Sequence, residues 1–248
     1  ALQKNELSKD SDLIVFSDAP KSAAQADAVN EVRQYIRQIV GFKSVAMVER
    51  DTNFGLARSI IEGVTELCKK YGRVIVLEDD LVTSPYFLRF MNDALELYKD
   101  EDRVMHISGS IYPIEVETMQ DVTFFFRVPL CWGWATWDRA WRHFYKSNEV
   151  MDRFDHKMRR DFSFNGTYHF WKQMEDNRKG LINTWFVYWY AVLFLRGGLA
   201  LFPGKSLVKN IGMDGSGVHS GINQIYDVEP NVSTLGSLLT NALRLSIL

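Results

Sequence analysis

Arg73-Val74-Ile75-Val76-Leu77-Glu78-Asp79-Asp80-Leu81-Val82-Thr83-Ser84-Pro85-Tyr86-Phe87-Leu88 is the stretch on which the fold turns. Its opening apolar run, rich in β-branched residues, has the length and composition of a strand buried on both faces. Three acids follow without a break. Ser84-Pro85 then predicts a helix start, with serine as N-cap and proline at the first position. Phe87, Leu88, Met91, Leu95 and Tyr98 recur at helical spacing and form its buried stripe.

The same alternation continues upstream. Residues 13–16 and 44–48 read as strands. Residues 28–40 read as a helix with Val29, Val32, Ile36 and Ile39 on one face. A second helix carries Leu56, Ile60, Val64, Leu67 and Tyr71, and Gly72 is its stop. This order predicts an α/β fold with a mostly parallel, doubly wound sheet, helices on both faces, and ligands at the carboxyl ends of the strands. Downstream, residues 104–108, 123–128, 199–202 and 207–211 read as strands. Residues 132–144 read as a tight turn entering an aromatic helix, 152–179 as a polar helical surface or lid, and 185–195 as a buried helix. Residues 213–221 form a glycine-rich loop. No repeat or low-complexity linker divides the chain, so residues 1–248 are expected to form a single domain.

Composition narrows the function classes. With 248 residues, 46% apolar and 24% charged, the chain can bury a large core unaided. A net charge of −2 gives no basis for binding nucleic acid or an anionic membrane. Cys68 and Cys131 lack disulfide-framework spacing, which favours a reducing compartment. No apolar run reaches membrane-spanning length. A cytoplasmic location is therefore expected, with at most peripheral membrane association.

Glu78-Asp79-Asp80 is the sharpest chemical feature. Three adjoining carboxylates repel one another, and a divalent cation such as Mg²⁺ or Mn²⁺ relieves that repulsion while binding diphosphate oxygens. A solvated strand-to-helix turn explains the same residues without a ligand. Asn53-Phe54-Gly55 precedes a helix, where asparagine can cap and glycine permits close backbone approach. Asp18, before Ala19-Pro20, is either a ligand-binding acid or a turn-former. Lys205 and Lys209 are candidate phosphate partners or plain surface charges. His219, flanked by glycines, suits a loop that closes over a diphosphate or completes a metal site. Cys131-Trp132-Gly133-Trp134 offers indole faces to a sugar, with Trp132 or Trp134 as the contact; an aromatic core accounts better for Trp137 and Trp141.

Residues 78–88 resemble the acidic motif and following helix of N-acetylglucosaminyltransferase I and its bacterial relatives, glycosyltransferases of the GT-A fold. Phe16-Ser17-Asp18, Asn53-Phe54-Gly55-Leu56 and residues 207–212 with His219 resemble the bacterial relatives in the same order. The resemblance implies transfer of a sugar from a nucleotide-diphosphate donor, UDP-linked by preference, to a glycan or lipid-linked acceptor, as in polysaccharide biosynthesis. It implies that Asp80 holds the metal and that Glu78 and Asp79 support the ribose and metal site. It further implies that Asp18 contacts the base, and that Arg50 and Asn53 line the nucleotide site.

The resemblance also has gaps. An inverting transferase, the expected type, needs a general base, yet Phe186 stands where the family carries an acid after Trp185. Asp138 and Asp176 are the candidates left, and a retaining mechanism stays open. The family's first strand has no counterpart ahead of residues 1–6. That implies an exposed sheet edge, weakened donor binding and a possible strand-mediated homodimer. Two other readings remain: a non-catalytic nucleotide-sugar or glycan-binding module, and a sugar-phosphate nucleotidyltransferase.

Overall fold

The computed structural model describes residues 1–112, 122–212 and 230. Its strands are β1 (Asp12–Ser17), β2 (Ser44–Glu49), β3 (Arg73–Val76), β4 (Leu81–Thr83), β5 (Val104–Ser108), β6 (Thr123–Phe126), β7 (Trp134–Trp137), β8 (Leu199–Pro203) and β9 (Val208–Asn210). Its helices are α1 (Ala26–Arg37), α2 (Gly55–Tyr71), α3 (Phe87–Leu97), α4 (Asp138–Trp141), α5 (Glu149–Asp152), α6 (His156–Phe162), α7 (Phe170–Arg178) and α8 (Phe186–Arg196). The chain is thus mixed α/β. The glycine-rich loop at 213–221 and His219 lie outside the described residues.

The sheet departs from the expected mostly parallel one. The central sheet runs β3-β7-β5-β8-β6, and of its four pairings only β5 with β8 is parallel. The cause is β7. Residues 134–137, read from sequence as a turn entering a helix, form a fully buried strand inserted antiparallel between β3 and β5. β1 and β2 pair parallel in register as a separate two-stranded sheet, and β4 pairs antiparallel with β9.

Alternation along β3 and β7 assigns the helices to faces. Val74, Val76 and Trp134 belong to the cluster that contains α2 residues Ala57, Val64 and Cys68. Ile75, Leu77, Ala135 and Trp137 pack instead with Phe87, Met91 and Leu95 of α3. Because successive side chains of a strand point to opposite faces, α2 and α3 cover opposite sides of the sheet. A third cluster joins α5, α6, α7 and α8, so residues 152–179 form a packed helical layer with Phe162, Phe170 and Met174 buried.

One helix start and one helix face differ from the sequence expectation. Ser84-Pro85 forms a turn, with Ser84 Oγ accepting from Tyr86 N at 3.2 Å, and α3 begins at Phe87. In α1, Val32 is exposed and the buried side is completed by Ile36 and half-buried Arg33.

Candidate functional site

α2 ends at Gly72, whose positive φ of 77° lets the chain reverse directly into β3. β3 therefore runs antiparallel to α2. Gly63 of α2 lies against the Phe16 ring near the end of β1, while Leu67 and Tyr71 lie beside the start of β1. β1 is thus also antiparallel to α2, and parallel to β3. The carboxyl ends of β1 and β3 and the N-terminus of α2 consequently meet at one edge of the molecule. Asp18, Arg50, Asn53, Glu78, Asp79 and Asp80 all sit there.

On the β1 side, the Asp18 carboxylate accepts from the backbone N–H of Phe54 and Gly55 at 2.8 Å each and of Ala19 at 3.0 Å. It therefore caps α2 across the chain, a role expected of Asn53. Asn53 instead donates from Nδ2 to the Ala19 carbonyl at 2.6 Å. Both residues are occupied in tying two loops together. Asp18 accordingly serves as an organiser of this edge, which favours the turn-forming reading over direct contact with a base.

Arg50 is different. Its guanidinium stands 5.4 Å from the Phe16 ring centre and 4.7 Å from that of Phe54. Its Nε and Nη2 are buried without a hydrogen-bond partner. Arg33 holds the loop beneath it, donating from Nη2 to the carbonyls of Asp18 at 3.2 Å and Arg50 at 3.0 Å. Nothing in the local sequence singled out Arg33 except that it interrupts an apolar stripe.

On the β3 side, the acidic triplet leaves the strand and turns into β4. Glu78 and Asp80 are half-buried and Asp79 is exposed. Burial, then the charges of Asp80 and Asp79, push Glu78 up to about 7. Burial and the Asp79 charge also hold Asp80 above the usual carboxylate range, opposed by a hydrogen bond from the Asn210 side chain. Asp80 Oδ1 is buried with no partner. The strand β9 closes the turn: Ile211 N donates to the Asp80 carbonyl at 2.9 Å, and Gly212 N to Asn210 Oδ1 at 2.8 Å. A Cβ on Gly212 would lie 2.5 Å from Asp80 Oδ2, so any larger residue there would displace the Asp80 carboxylate. Cys131 adjoins the acids as well; burial raises its thiol far above the ordinary range, and Glu78 adds to that. Asn210, Gly212 and Cys131 were not singled out as contacts of the acids by sequence reasoning.

Among the described residues no group of three or more His, Cys, Asp or Glu side chains is placed to hold a metal ion. The unpartnered Asp80 oxygen and the raised carboxylates nevertheless fit a hard cation, which would relieve both.

Other expected site residues lie elsewhere. Trp134 is 0% exposed and stacks on His106 and Trp185 at ring-centre distances of 5.2 Å each. It is a core residue, closed to a ligand, because β7 carries it inside the sheet. Asp138 follows the end of β7 that pairs with Arg73, so it sits at the edge opposite the triplet, ion-paired with Arg142 at 2.9 Å. That position removes it as a base for chemistry at Asp80. Asp176 pairs with Lys172 at 2.5 Å one turn earlier on α7. Lys205 lies in the β8–β9 turn, beyond the Thr83 end of the β4–β9 ladder, whereas Asp80 adjoins its other end. Phe186 opens α8 and packs edge-on against Trp185. No protein-family model matches the chain, and no curated protein matches it. No helix among the described residues is long and apolar enough to cross a membrane.

Proposed function

We propose that the chain is a divalent-metal-dependent glycosyltransferase of GT-A type, moving a sugar from a nucleotide-diphosphate donor to a glycan or lipid-linked acceptor. One observation carries the reading. At a single edge a cation-seeking atom, Asp80 Oδ1, and two anion-seeking atoms, Nε and Nη2 of Arg50, are buried without a hydrogen-bond partner. Buried polar atoms left unpaired cost about 1–3 kcal/mol each, and a metal-bound diphosphate would satisfy both kinds. Asp80, backed by Glu78 and Asp79, would hold the Mn²⁺ or Mg²⁺; His219 is the further ligand the sequence suggests. Bound there, the cation would neutralise charge on the departing diphosphate. Arg33, Asp18 and Asn53 would keep the Arg50 loop in place.

A second reading, a non-catalytic nucleotide-sugar-binding module, is favoured by the placement of Asp138 at the far edge and of Phe186 where an acid was expected. Both readings need the donor site. The test is calorimetric titration of UDP with and without Mn²⁺, on the chain and on Asp80→Ala. Binding that requires both Mn²⁺ and Asp80 supports the donor site. Equal binding by Asp80→Ala would overturn it. Sugar transfer to a supplied acceptor then separates enzyme from module.

A further inference from the structure

α7 ends in a turn that holds two aliphatic side chains away from the protein. Gly180, with a positive φ of 71°, reverses the chain. Its N–H donates to the Asn177 carbonyl at 3.0 Å, and the Leu181 N–H donates to the Asp176 carbonyl at 2.9 Å. In this motif the residue after glycine frequently packs onto the last turns of its helix. Here those turns offer Glu175 and Asp176, and Leu181 stays 69% exposed and Ile182 36% exposed. The loop is nonetheless pinned at its base. Asn177 Nδ2 donates to Thr184 Oγ1, and Asn177 Oδ1 accepts from Thr184 N, both at 2.9 Å. Lys146 Nζ donates to Asn183 Oδ1 beside it. Exposed Arg178 and Lys179 precede the tip. Asp176, the nearest acid, is ion-paired with Lys172 at 2.5 Å, and residues 177–212 contain no carboxylate.

We propose that the tip at residues 180–183 docks on an anionic lipid bilayer, with Leu181 and Ile182 entering the acyl boundary and Arg178 and Lys179 meeting lipid phosphates. Aliphatic side chains flanked by arginine and lysine match both layers of such a surface, the apolar interior and the charged headgroups. A lasting protein interface needs about 1,000 Å² of buried surface, far more than two side chains on a tight loop supply. Exposure alone does not mark this place. Val32 and Tyr35 of α1 are 56% and 70% exposed, but the neighbouring Arg33 and Arg37 are both paired with Glu49. The chain's net charge of −2 does not oppose the contact, because charges farther than about 8 Å are screened at physiological ionic strength. One short tip with two cations gives weak, reversible association. The tip also lies at a telling place. Trp185, just ahead of α8, stacks on Trp134 at 5.2 Å, and Trp134 pairs with Val76 at the end of β3. The acidic triplet leaves the sheet at that same edge, so docking there would bring the candidate site close to the bilayer surface. Membrane docking rests on the tip alone; only its use in reaching a lipid-linked acceptor rests on the proposed function.

The test co-sediments the whole chain with vesicles of three parts phosphatidylcholine to one part phosphatidylglycerol, and with vesicles of phosphatidylcholine alone. Binding to the anionic vesicles is expected, about tenfold weaker on phosphatidylcholine and weakened by salt. Leu181→Ser combined with Ile182→Ser should weaken it about tenfold, through lost apolar burial. Arg178→Gln combined with Lys179→Gln should weaken it to a similar extent, about tenfold. All four positions are exposed, so the thermal midpoint should not move. Val32→Ser combined with Tyr35→Ser, on α1, should bind as the wild type does. In Leu181→Trp, the added emission should shift to the blue with anionic vesicles and be quenched by lipids brominated on their acyl chains. Absence of binding, binding indifferent to the tip substitutions or to phosphatidylglycerol, or an equal loss from the α1 substitutions would each overturn the proposal. Self-association of the chain that the tip substitutions abolish would overturn it too, by making the tip a contact between copies.

Discussion

Two titratable groups on opposite sides of β7, one buried and one half-buried, meet very different surroundings. His106 on β5 is 0% exposed, and both ring nitrogens are used: Nε2 lies 2.9 Å from the Leu130 carbonyl, and Nδ1 accepts from Trp189 Nε1 at 3.1 Å. Glu78 is crowded by like charges, and its neighbour Asp80 keeps a buried oxygen without a partner. The His106 ring is fully satisfied, although Nε1 of Trp134, stacked on it, is buried without a partner. The second is arranged to be completed by something else. Unpaired buried atoms occur on both sides of β7, so it is the crowding of like charges at Glu78 that separates a binding element from a stability element.

The contrast can be broken most forcefully at Trp134. This residue stacks on His106 and Trp185, lies tilted against Trp141 and has no exposed surface. Trp134→Ala is expected to lower unfolding stability by about 4 kcal/mol, the usual cost of emptying a large core aromatic site. Urea unfolding measures this. A loss below about 1 kcal/mol would return Trp134 to the ligand-contact role that its sequence suggested.

Trp134 also shows where the sequence was legible and where it was not. β1, β2, β3, β5 and α2 follow from continuous apolar runs and 3.6-residue spacing, which are local properties. β7 does not: Trp-Gly-Trp-Ala-Thr-Trp has no alternation, because a strand covered on both faces needs none, and Gly133 reads as a turn. Gly133 in fact has φ +64°, and a Cβ there would lie 2.8 Å from Val208. Its antiparallel insertion is decided by partners distant in sequence, which no local pattern encodes. The site divides in the same way. The acidic triplet stands out by charge alone, whereas Asn210 and Gly212 reach Asp80 only because β9 pairs with β4. The sequence marks Asp18 as a ligand-binding acid or a turn-former, but that it caps α2 across 36 residues of chain becomes visible only once β1 and α2 are in place.

A smaller effect sharpens the acidic half of the comparison. Glu78 is raised in the folded chain to about 7 from its ordinary 4.5. The folded state therefore holds a proton that the unfolded state has lost between those values, and stability falls as pH rises through that window. At about 1.4 kcal/mol per pH unit, discounted for partial exposure, the wild type should lose about 2 kcal/mol between pH 5 and pH 8 relative to Glu78→Gln. Paired denaturant titrations at the two pH values read this out. Parallel pH profiles for the two proteins would mean that Glu78 is not held in a charge-poor, self-repelling turn.

His106 should give the opposite slope, with a change of similar size over a narrower range. Burial lowers it from 6.5 to about 3, with the contact to the Leu130 carbonyl opposing the shift. The neutral ring's contribution is fully present above pH 6.5 and is lost as pH falls, because only the unfolded chain can take up the proton. Between pH 6.5 and 5, above the range where ordinary carboxylates titrate, that amounts to about 2 kcal/mol at 1.4 kcal/mol per unit. His106→Gln is the informative variant. Its amide can donate to the Leu130 carbonyl and accept from Trp189 Nε1, yet it does not titrate. The variant should match the wild type near pH 8 and surpass it by about that amount at pH 5. If both lose stability equally on acidification, His106 already carries a proton in the folded state. Trp189 Nε1 would then face a donor in place of an acceptor, and the claim that the His106 ring is fully satisfied would fail.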